Sequence, residues 1–128
     1  MPTLTTNGIK ISVEATYHED YSKPKEKKYV FSYKIEIKNK SRRTVQLLRR
    51  RWIILDSAGT IREVKGDGVV GKQPILHPGE VHEYTSWCNF ESEIGKMRGF
   101  YQMQDMRSRK KFQVKVPDFL MVAPYKNN

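Results

Sequence analysis

The chain has 128 residues, of which 24 are Lys or Arg and 14 are Asp or Glu, so its formal net charge is +10. This length predicts that residues 1–128 form one domain, and it excludes two nucleotide-binding halves joined to a substrate domain. The 38% of apolar residues suffices for a packed core, but no apolar run approaches the roughly 18 residues of a membrane-spanning helix.

Cysteine usage and the N-terminal segment predict the compartment. Cys88 is the single cysteine, so an internal disulfide is excluded. The segment MPTLTTNGIKISV lacks the basic stretch and the apolar stretch of a secretory signal. We therefore expect a cytoplasmic protein that does not enter a membrane. Its basic surface favours nucleic acid, anionic membranes and acidic proteins alike, and does not choose among them.

Alternation of apolar and polar residues marks the first part of the chain. In IKISVEATY, residues 9–17, the odd positions are mostly apolar and the even positions mostly polar, which predicts a half-buried strand. The following HEDYSKPKEKK has little apolar surface and is expected to be a solvated loop. YVFSYKIEIKN, residues 29–39, alternates most cleanly and predicts a second strand.

The next segment, TVQLLRRRWIILD, predicts a third strand whose phase changes. Val45 and Leu47 lie on odd positions, whereas Trp52 and Ile54 lie on even ones, so we expect a β-bulge near residues 49–51. SAG is then expected to turn, TIREVK to form a short strand, GDGVVGKQP to be irregular and HPG to turn again.

The C-terminal third of the chain completes a predicted all-β fold. EVHEYTSWC, KMRGFYQMQD and KKFQVKVP each suggest a strand, and PDFLMVAPY follows as an apolar tail. Strands joined by short turns cannot make the crossovers of a parallel sheet. We therefore predict an immunoglobulin-like or fibronectin-III-like antiparallel β-sandwich of about seven to eight strands, with a small closed barrel as the alternative.

The glycine motif GDGVVG has the spelling of a dinucleotide-binding loop. Such loops lie between a strand and a helix, whose N-terminal N–H groups hold the pyrophosphate. After Gly71 the chain continues KQPILHPGE, in which Pro74 and Pro78 would interrupt any helix after one turn. Rossmann-type binding is therefore excluded.

Two interpretations of this loop remain open. In the first, the glycines only permit backbone conformations that other residues avoid. In the second, successive N–H groups form an anion-binding nest, with Lys65 and Arg62 adding positive charge nearby. The candidate anion-binding residues are then Gly66, Asp67, Gly68, Val69, Val70, Gly71 and Lys72.

The segment VKGDGVVGKQPILHPGEVHEYTS is preceded by VQLLRRRWIILD and followed by GKMRGFYQM and FQVKVPDFLMVAP. With these segments the sequence resembles the ApaG family, also called CorD. The resemblance covers roughly Thr3 to Tyr125, and the combination of GDGVVG, QP, PGE and YTS is far more specific than the glycines alone. The segment DMRSRKK, residues 105–111, departs from the glycine-containing acidic turn of many relatives, which puts a partner contact at this tip in doubt.

The resemblance implies a fibronectin-III-like sandwich and a small bacterial protein of unsettled biochemical role. It also implies links to diadenosine tetraphosphate metabolism and to cobalt and magnesium resistance. Related domains in eukaryotic F-box proteins and in a polymerase-delta-interacting protein resemble protein-interaction modules. A protein partner is therefore the first expectation for this chain, and a phosphorylated small molecule is the second.

Catalytic and metal-binding patterns are weak. The serines lack the G-x-S-x-G elbow, Cys88 has no partner that marks it as a nucleophile, and no pair of carboxylates can be assigned acid and base roles. We expect a non-enzymatic protein without a cofactor, and a buried or half-buried structural Cys88. In HPGEVHE, the residues His77, Glu80 and His82 form a faint metal-site pattern, for which a polar turn is the simpler interpretation.

Aromatic and basic residues also invite a nucleic-acid interpretation. Tyr29, Phe31 and Tyr33 could stack bases, but Ile35 and Ile37 continue the same face, which favours the core. The runs RRR at 49–51 and RSRKK at 107–111 are expected at solvated strand edges or hairpin tips. No specific nucleic-acid partner is predicted, because no recognised motif accompanies these runs.

Overall fold

Nine strands make up most of the molecule, as shown by a computed structural model that describes residues 1–124. Two short 3₁₀ helices, Glu19–Tyr21 and Pro24–Glu26, lie between the second and third strands, and there is no α-helix within the described residues. The strands are β1 (Thr3–Thr6), β2 (Ile9–Tyr17), β3 (Tyr29–Asn39), β4 (Val45–Asp56), β5 (Ile61–Asp67), β6 (Ile75–Leu76), β7 (Val81–Phe90), β8 (Ile94–Asp105) and β9 (Lys111–Val122).

The strands form two antiparallel sheets. The first has the order β1-β2-β3-β7, and the second has the order β5-β4-β8-β9, with β6 pairing along β4. Apolar side chains from both sheets meet in one core, so the predicted antiparallel sandwich is confirmed. The alternative of a closed barrel is wrong, because the strands lie in two separate sheets.

Alternation in the sequence places this core. On β3 the odd residues Phe31, Tyr33, Ile35 and Ile37 are buried against the opposite sheet, as their pattern predicts. Trp52 of β4 stands at the centre of the core, 3% exposed, and its ring lies edge-on to those of Tyr33, Tyr101 and Phe119. Such aromatic pairs stabilise the fold beyond the area that they bury.

The β-bulge predicted on β4 is present, one residue before the predicted range. Leu47 pairs with Met103 and Arg49 pairs with Gln102, so Leu48 is the extra residue. Beyond the bulge the even residues face the core, which brings Arg50 to the inner face beside Trp52 and Ile54. The carbonyl of Leu48 accepts hydrogen bonds from the N–H of Gly68 and from the side chain of Gln73.

Two parts of the sequence prediction were incomplete. The predicted seven to eight strands omitted β1, which pairs with β2 across an Asn7–Gly8 turn, and the two-residue β6. The segment PDFLMVAPY was expected to be a tail, but Pro117 to Val122 continue β9. Pro117 is tolerated because the register of β8 and β9 shifts at this point and β9 is an edge strand of its sheet.

The two open sides of the sandwich differ. On one side β9 packs against β1 and β2 of the other sheet. On the other side lie the edge strands β5 and β7, and a cleft between them opens toward Trp52. The β5–β7 side therefore contains the candidate binding cleft.

Candidate binding cleft and aromatic patch

The cleft between β5 and β7 has a volume of about 390 Å³. Its floor is apolar and comes from Trp52, Ile54 and Met97, while its walls come from β5, from the inner face of β7 and from Tyr33 of β3. None of the described residues that line it is acidic. The full lining is Tyr33, Arg50, Trp52, Ile54, Arg62, Val64, Ser86, Trp87, Cys88, Asn89 and Met97.

Arg50 occupies one part of this cleft because of the bulge in β4. Its Nη1 donates hydrogen bonds to the carbonyl oxygens of Asp67 and Gly68, at 3.0 and 3.1 Å. The guanidinium lies across Gly66, where a Cβ atom would come within 2.8 Å of Nη1. A side chain at position 66 would therefore displace the guanidinium of Arg50. Within the described residues, Nε and Nη2 of Arg50 make no hydrogen bond.

Arg62 of β5 reaches across the cleft to β7. Its Nη2 donates to the carbonyl oxygen of Asn89 at 2.7 Å and lies 3.7 Å from the Sγ of Cys88. Burial raises the pKa of the Cys88 thiol, and the charge of Arg62 opposes this rise only in part. Cys88 is buried, as expected for a structural residue, and its thiol is kept protonated rather than activated.

The wall opposite Arg50 presents phenol and hydroxyl groups. Burial raises the pKa of Tyr33, although a hydrogen bond with Ser86 opposes the shift. The hydroxyl groups of Tyr84 and Tyr101 are hydrogen-bonded to each other, and burial raises the pKa of both. Tyr33 and Ser86, which line the cleft, can therefore donate or accept hydrogen bonds there without adding charge, whereas Tyr84 and Tyr101 are not part of its lining.

The glycine loop turns tightly beyond the end of β5. The N–H of Val69 bonds to the carbonyl of Lys72, and the N–H of Lys72 bonds back to Val69. Between them Val70 and Gly71 have φ of +47° and +75°, the signs of a type I′ turn. Positive φ is unusual for a β-branched residue such as Val70.

Most backbone N–H groups of this loop are already hydrogen-bonded and are not available to an anion. The N–H groups of Gly68, Val69 and Lys72 all donate to backbone carbonyls. No such bond is made by the N–H groups of Val70 and Gly71 within the described residues. The expected basic neighbours are also separated: Lys65 pairs with Glu63 at 2.9 Å, while Arg62 lies in the cleft. Anion binding by residues 66–72 stays a prediction.

The residues of the faint metal pattern do not converge. His77 and Glu80 contact each other across the Pro78–Gly79 turn, with Nδ1 and Oε1 2.5 Å apart, and the pKa of Glu80 is lowered by hydrogen bonds from the backbone and side chain of His77. The Nε2 of His82 is instead buried and makes no hydrogen bond with residues 1–124. Burial, and to a smaller extent the charge of Lys72, lowers the pKa of His82. Among residues 1–124, no group of three or more His, Cys, Asp or Glu is placed to hold a metal ion.

An exposed aromatic patch, consisting of His18, Tyr21 and Trp87, lies beside the cleft. Trp87 is 53% exposed and Tyr21 is 61% exposed. The ring of His18 lies 4.3 Å from that of Trp87, and Tyr21 meets Trp87 edge-on at 5.9 Å. Trp87 and Asn89 line both the cleft and a hollow of about 340 Å³ against Tyr21. The patch lies on the outer face of the first sheet, and Trp87 and Asn89 border both it and the cleft.

Ser32 holds the histidine of this patch, since its Oγ lies 2.7 Å from Nε2 of His18. Hydrolases use a contact of this kind, but they also need free backbone N–H groups beside the nucleophile. Ser32 lies in the middle of β3, which is paired on both sides by β2 and β7. The ladder therefore uses the neighbouring backbone groups, and the contact orients His18 for stacking on Trp87.

The structure buries, wholly or in part, the aromatic residues of the nucleic-acid interpretation. Phe31 and Tyr33 are buried and Tyr29 is half-buried, which confirms their place in the core. Residues 49–51 were expected at an edge or a tip, but they lie within the inner strand β4. The run 107–111 does lie at the tip between β8 and β9.

Sequence patterns did not identify the aromatic patch or the inward position of Arg50. The segment VHEYTSWCNF mixes polar and aromatic residues on both of its faces, so alternation alone cannot say which face of β7 is buried. The phase change of β4 did contain a usable signal. A bulge before Arg49 places Arg50 on the same face as Trp52.

No helix within residues 1–124 is long and apolar enough to cross a membrane.

The strand β5 presents mostly exposed side chains along one rim of the cleft. Such exposure is typical of an edge strand that is accessible to a ligand or partner.

Comparison with known proteins agrees with these features. The model of the ApaG domain matches residues 19–105. A relative from Paramagnetospirillum magneticum named Protein ApaG is 42% identical over 125 residues, covering 98% of this chain and 95% of the relative. Another Protein ApaG, from Brucella anthropi, is 46% identical over 119 residues, covering 93% and 91% of the two chains.

A solved structure gives the same result. The crystal structure of a Bordetella pertussis protein described as ApaA is 38% identical, has a TM-score of 0.88 and is matched over 98% of both chains. Together with the family model, these full-length similarities show that the chain belongs to the ApaG family.

Proposed function

We propose that this protein is a non-catalytic binding module whose partner is another protein, and that the partner docks on the aromatic patch of His18, Tyr21 and Trp87. The observation that supports this most directly is the exposure of Trp87 and Tyr21, whose rings meet on the outer face of the first sheet. Trp and Tyr are the residues most enriched among the strongest contacts of protein interfaces.

The surroundings of Trp87 suit such a contact. His18 is fixed by Ser32 and supports the indole from one side, so little side-chain freedom remains to be lost on binding. The neighbouring hollow is lined by Tyr21, Lys28, Val30, Trp87 and Asn89. An apolar side chain of the partner would bury surface in this hollow against Trp87.

The docking proposal is tested by comparing two truncations of exposed apolar residues. Trp87→Ala removes the centre of the patch, while Leu120→Ala removes another exposed side chain, 61% exposed, on the second sheet. Each variant and the wild type are used to capture proteins from the native cell at low salt and at about 0.15 M salt. We expect a stoichiometric protein that binds the wild type and Leu120→Ala but not Trp87→Ala.

The expected loss for Trp87→Ala is at least 2 kcal/mol of binding free energy, the scale of a central interface tryptophan, or about thirtyfold in Kd. Thermal melting of both variants checks that the fold is intact. Equal capture by the Trp87→Ala variant would contradict the proposal, and so would an equal loss with Leu120→Ala.

A second candidate function is binding of a phosphorylated small molecule at residues 66–72. It is favoured by the Val70 and Gly71 N–H groups, which lack partners within the described residues, and by exposed Lys72. Titration with pyrophosphate should then shift the amide resonances of Val70 and Gly71 in a saturable way. Lys72→Ala should weaken binding by roughly 1.5 to 3 kcal/mol. Diffuse shifts at Lys and Arg side chains would report only the net charge.

A further inference from the structure

The two arginines of the cleft differ from their neighbours in having no acidic partner. On β4, Arg49 pairs with Asp67 at 3.6 Å and Arg51 pairs with Glu63 at 3.3 Å. Arg50, between them, forms no ion pair within the described residues, and neither does Arg62. Two positive charges therefore face a cleft whose described lining has no acid.

The carboxylate of Asp56 interacts electrostatically with Arg62 but does not neutralise it by an ion pair. Asp56 lies close enough for Arg62 to contribute to its lowered pKa. The carboxylate of Asp56 is nevertheless occupied by the N–H groups of Ala58 and Glu91 and by the hydroxyl of Ser92. It forms no ion pair with Arg62, whose charge remains available to the cleft.

The hydrogen bonds that each arginine already makes fix its orientation. Nη1 of Arg50 is held by the carbonyls of Asp67 and Gly68, while its Nε and Nη2 make no hydrogen bond with any described residue. These two N–H groups match the two oxygens of a carboxylate. Nη2 of Arg62 is held by Asn89, so both guanidinium groups are positioned before any ligand arrives.

The rest of the lining strengthens an ionic contact made there. Trp52, Ile54 and Met97 form an apolar floor, and charge-assisted hydrogen bonds gain strength where water is excluded. Tyr33 and Ser86 add neutral hydroxyl groups on the facing wall. The cleft therefore offers positive charge and hydrogen-bond donors around an apolar base.

We infer that this cleft binds an acidic segment of the partner protein, whose carboxylates contact Arg50 and Arg62 while the partner covers Trp87. The inference rests on the proposed function, because it assigns the chemistry of the same partner. The two surfaces are adjacent, because Trp87 and Asn89 border both the cleft and the hollow of the aromatic patch. Acidic residues that follow or precede the partner's apolar anchor are the expected ligands of the arginines.

The test uses poly-L-glutamate as a carboxylate probe, at about 0.15 M salt so that long-range attraction to the basic surface is screened. Affinity is measured by isothermal titration for the wild type and for Arg62→Gln and Arg50→Lys. Arg51→Gln is the matched control, because Arg51 lies next to Arg50 in the same strand but on the outer face, paired with Glu63. Thermal melts confirm that each variant folds.

We expect Arg62→Gln and Arg50→Lys each to weaken binding by at least about tenfold, and Arg51→Gln by less than about twofold. The Nε–H resonances of Arg50 and Arg62 should shift on titration, while those of Arg49 and Arg51 should not. Equal losses in the cleft variants and in Arg51→Gln would overturn the inference, as would wild-type affinity in both cleft variants.

A competition experiment and the capture of the native partner distinguish a failure of the cleft inference from a failure of the proposed function. If inorganic pyrophosphate displaces poly-L-glutamate from the cleft and binds more tightly, the anion is a phosphate and the carboxylate assignment is overturned. If capture of the native partner depends on Trp87 but not on Arg62, the proposed function stands and the cleft inference fails. If the probe depends on Arg62 but capture does not depend on Trp87, the proposed function fails instead.

Discussion

At the scale of single residues, the glycine loop combines three different constraints. Gly66 makes room for the Arg50 guanidinium, Gly68 has a φ of +64° and Gly71 has a φ of +75°. A Cβ atom at Gly68 would lie 2.2 Å from the carbonyl oxygen of Lys72, whereas one at Gly71 would meet nothing within 4 Å. The two positions share backbone conformation and differ in steric surroundings.

We therefore predict that Gly68→Val is far more destabilising than Gly71→Ala. Gly71→Ala should cost about 1 to 2 kcal/mol, the strain of an ordinary residue at positive φ. Gly68→Val adds a backbone clash and β-branching, so it should cost more than about 3 kcal/mol. Chemical denaturation of both variants checks the prediction, and equal losses would show that the loop relaxes around the added side chain.

The core aromatics give a second prediction at this scale. Phe31 is 1% exposed and Trp52 is 3% exposed, so truncation of either ring leaves a cavity. Phe31→Ala and Trp52→Ala should each lower the free energy of unfolding by roughly 3 to 5 kcal/mol. Leu120→Ala, at an exposed site, should change it by less than about 0.5 kcal/mol. Thermal melts near that of the wild type for the two core variants would contradict this packing.

At the scale of elements, the sequence predicts strands best where one face is buried. From Phe31 to Lys38 the residues of β3 alternate between apolar and polar because its odd residues fill the core. β1 was not predicted because its four residues are largely exposed. The Asn7–Gly8 turn before Ile9 is nevertheless a strong hairpin signal. The C-terminal half of β9 was missed because Pro117 suggests an interruption, while the bulge that accommodates it depends on the partner strand β8.

Asp56 connects three elements and gives a prediction about pH. This buried carboxylate closes β4 by accepting hydrogen bonds from the turn at Ala58 and from Glu91 and Ser92, which follow β7. Burial alone would raise its pKa, but these hydrogen bonds together lower it below the usual value. A depressed pKa stabilises the fold at neutral pH, and this contribution is lost as the pH falls below about 4.

Asp56→Asn should therefore lower the free energy of unfolding by about 1.5 to 3 kcal/mol at pH 7. Oδ1 and Oδ2 both act as acceptors, and an amide would turn one acceptor into a donor. The difference from the wild type should shrink below pH 4, where the carboxyl of the wild type becomes protonated. Asp20→Asn, in an exposed 3₁₀ helix, is the control. A difference that does not depend on pH would contradict the assigned role.

At the scale of the whole molecule, the sequence predicts the sandwich better than the site. Alternation identifies which residues leave water, and so it locates the core. The cleft depends on which two edge strands remain uncovered, and that follows from the order β1-β2-β3-β7 and β5-β4-β8-β9. Arg50 and Arg62 are 12 positions apart in the sequence, among many other basic residues, and only the pairing of β4 with β5 places both in one cleft.

One open side of the sandwich is packed by β9 against β1 and β2, whereas the β5–β7 side has a cleft, and this difference predicts different rates of amide hydrogen exchange. β3 and β8 are paired on both edges, whereas β5 and β7 each have one unpaired edge beside the cleft. Amides of β3 and β8 should exchange only through near-global unfolding, while many amides of β5 and β7 should exchange at least about tenfold faster through local opening. A partner docked on Trp87 should slow exchange in β5 and β7 and leave β1 unchanged, since β1 packs against β9 on the far side. If the partner protects the amides of β1 instead, the interface lies on that opposite side. If β5 and β8 are equally protected in the free protein, the cleft is closed in solution.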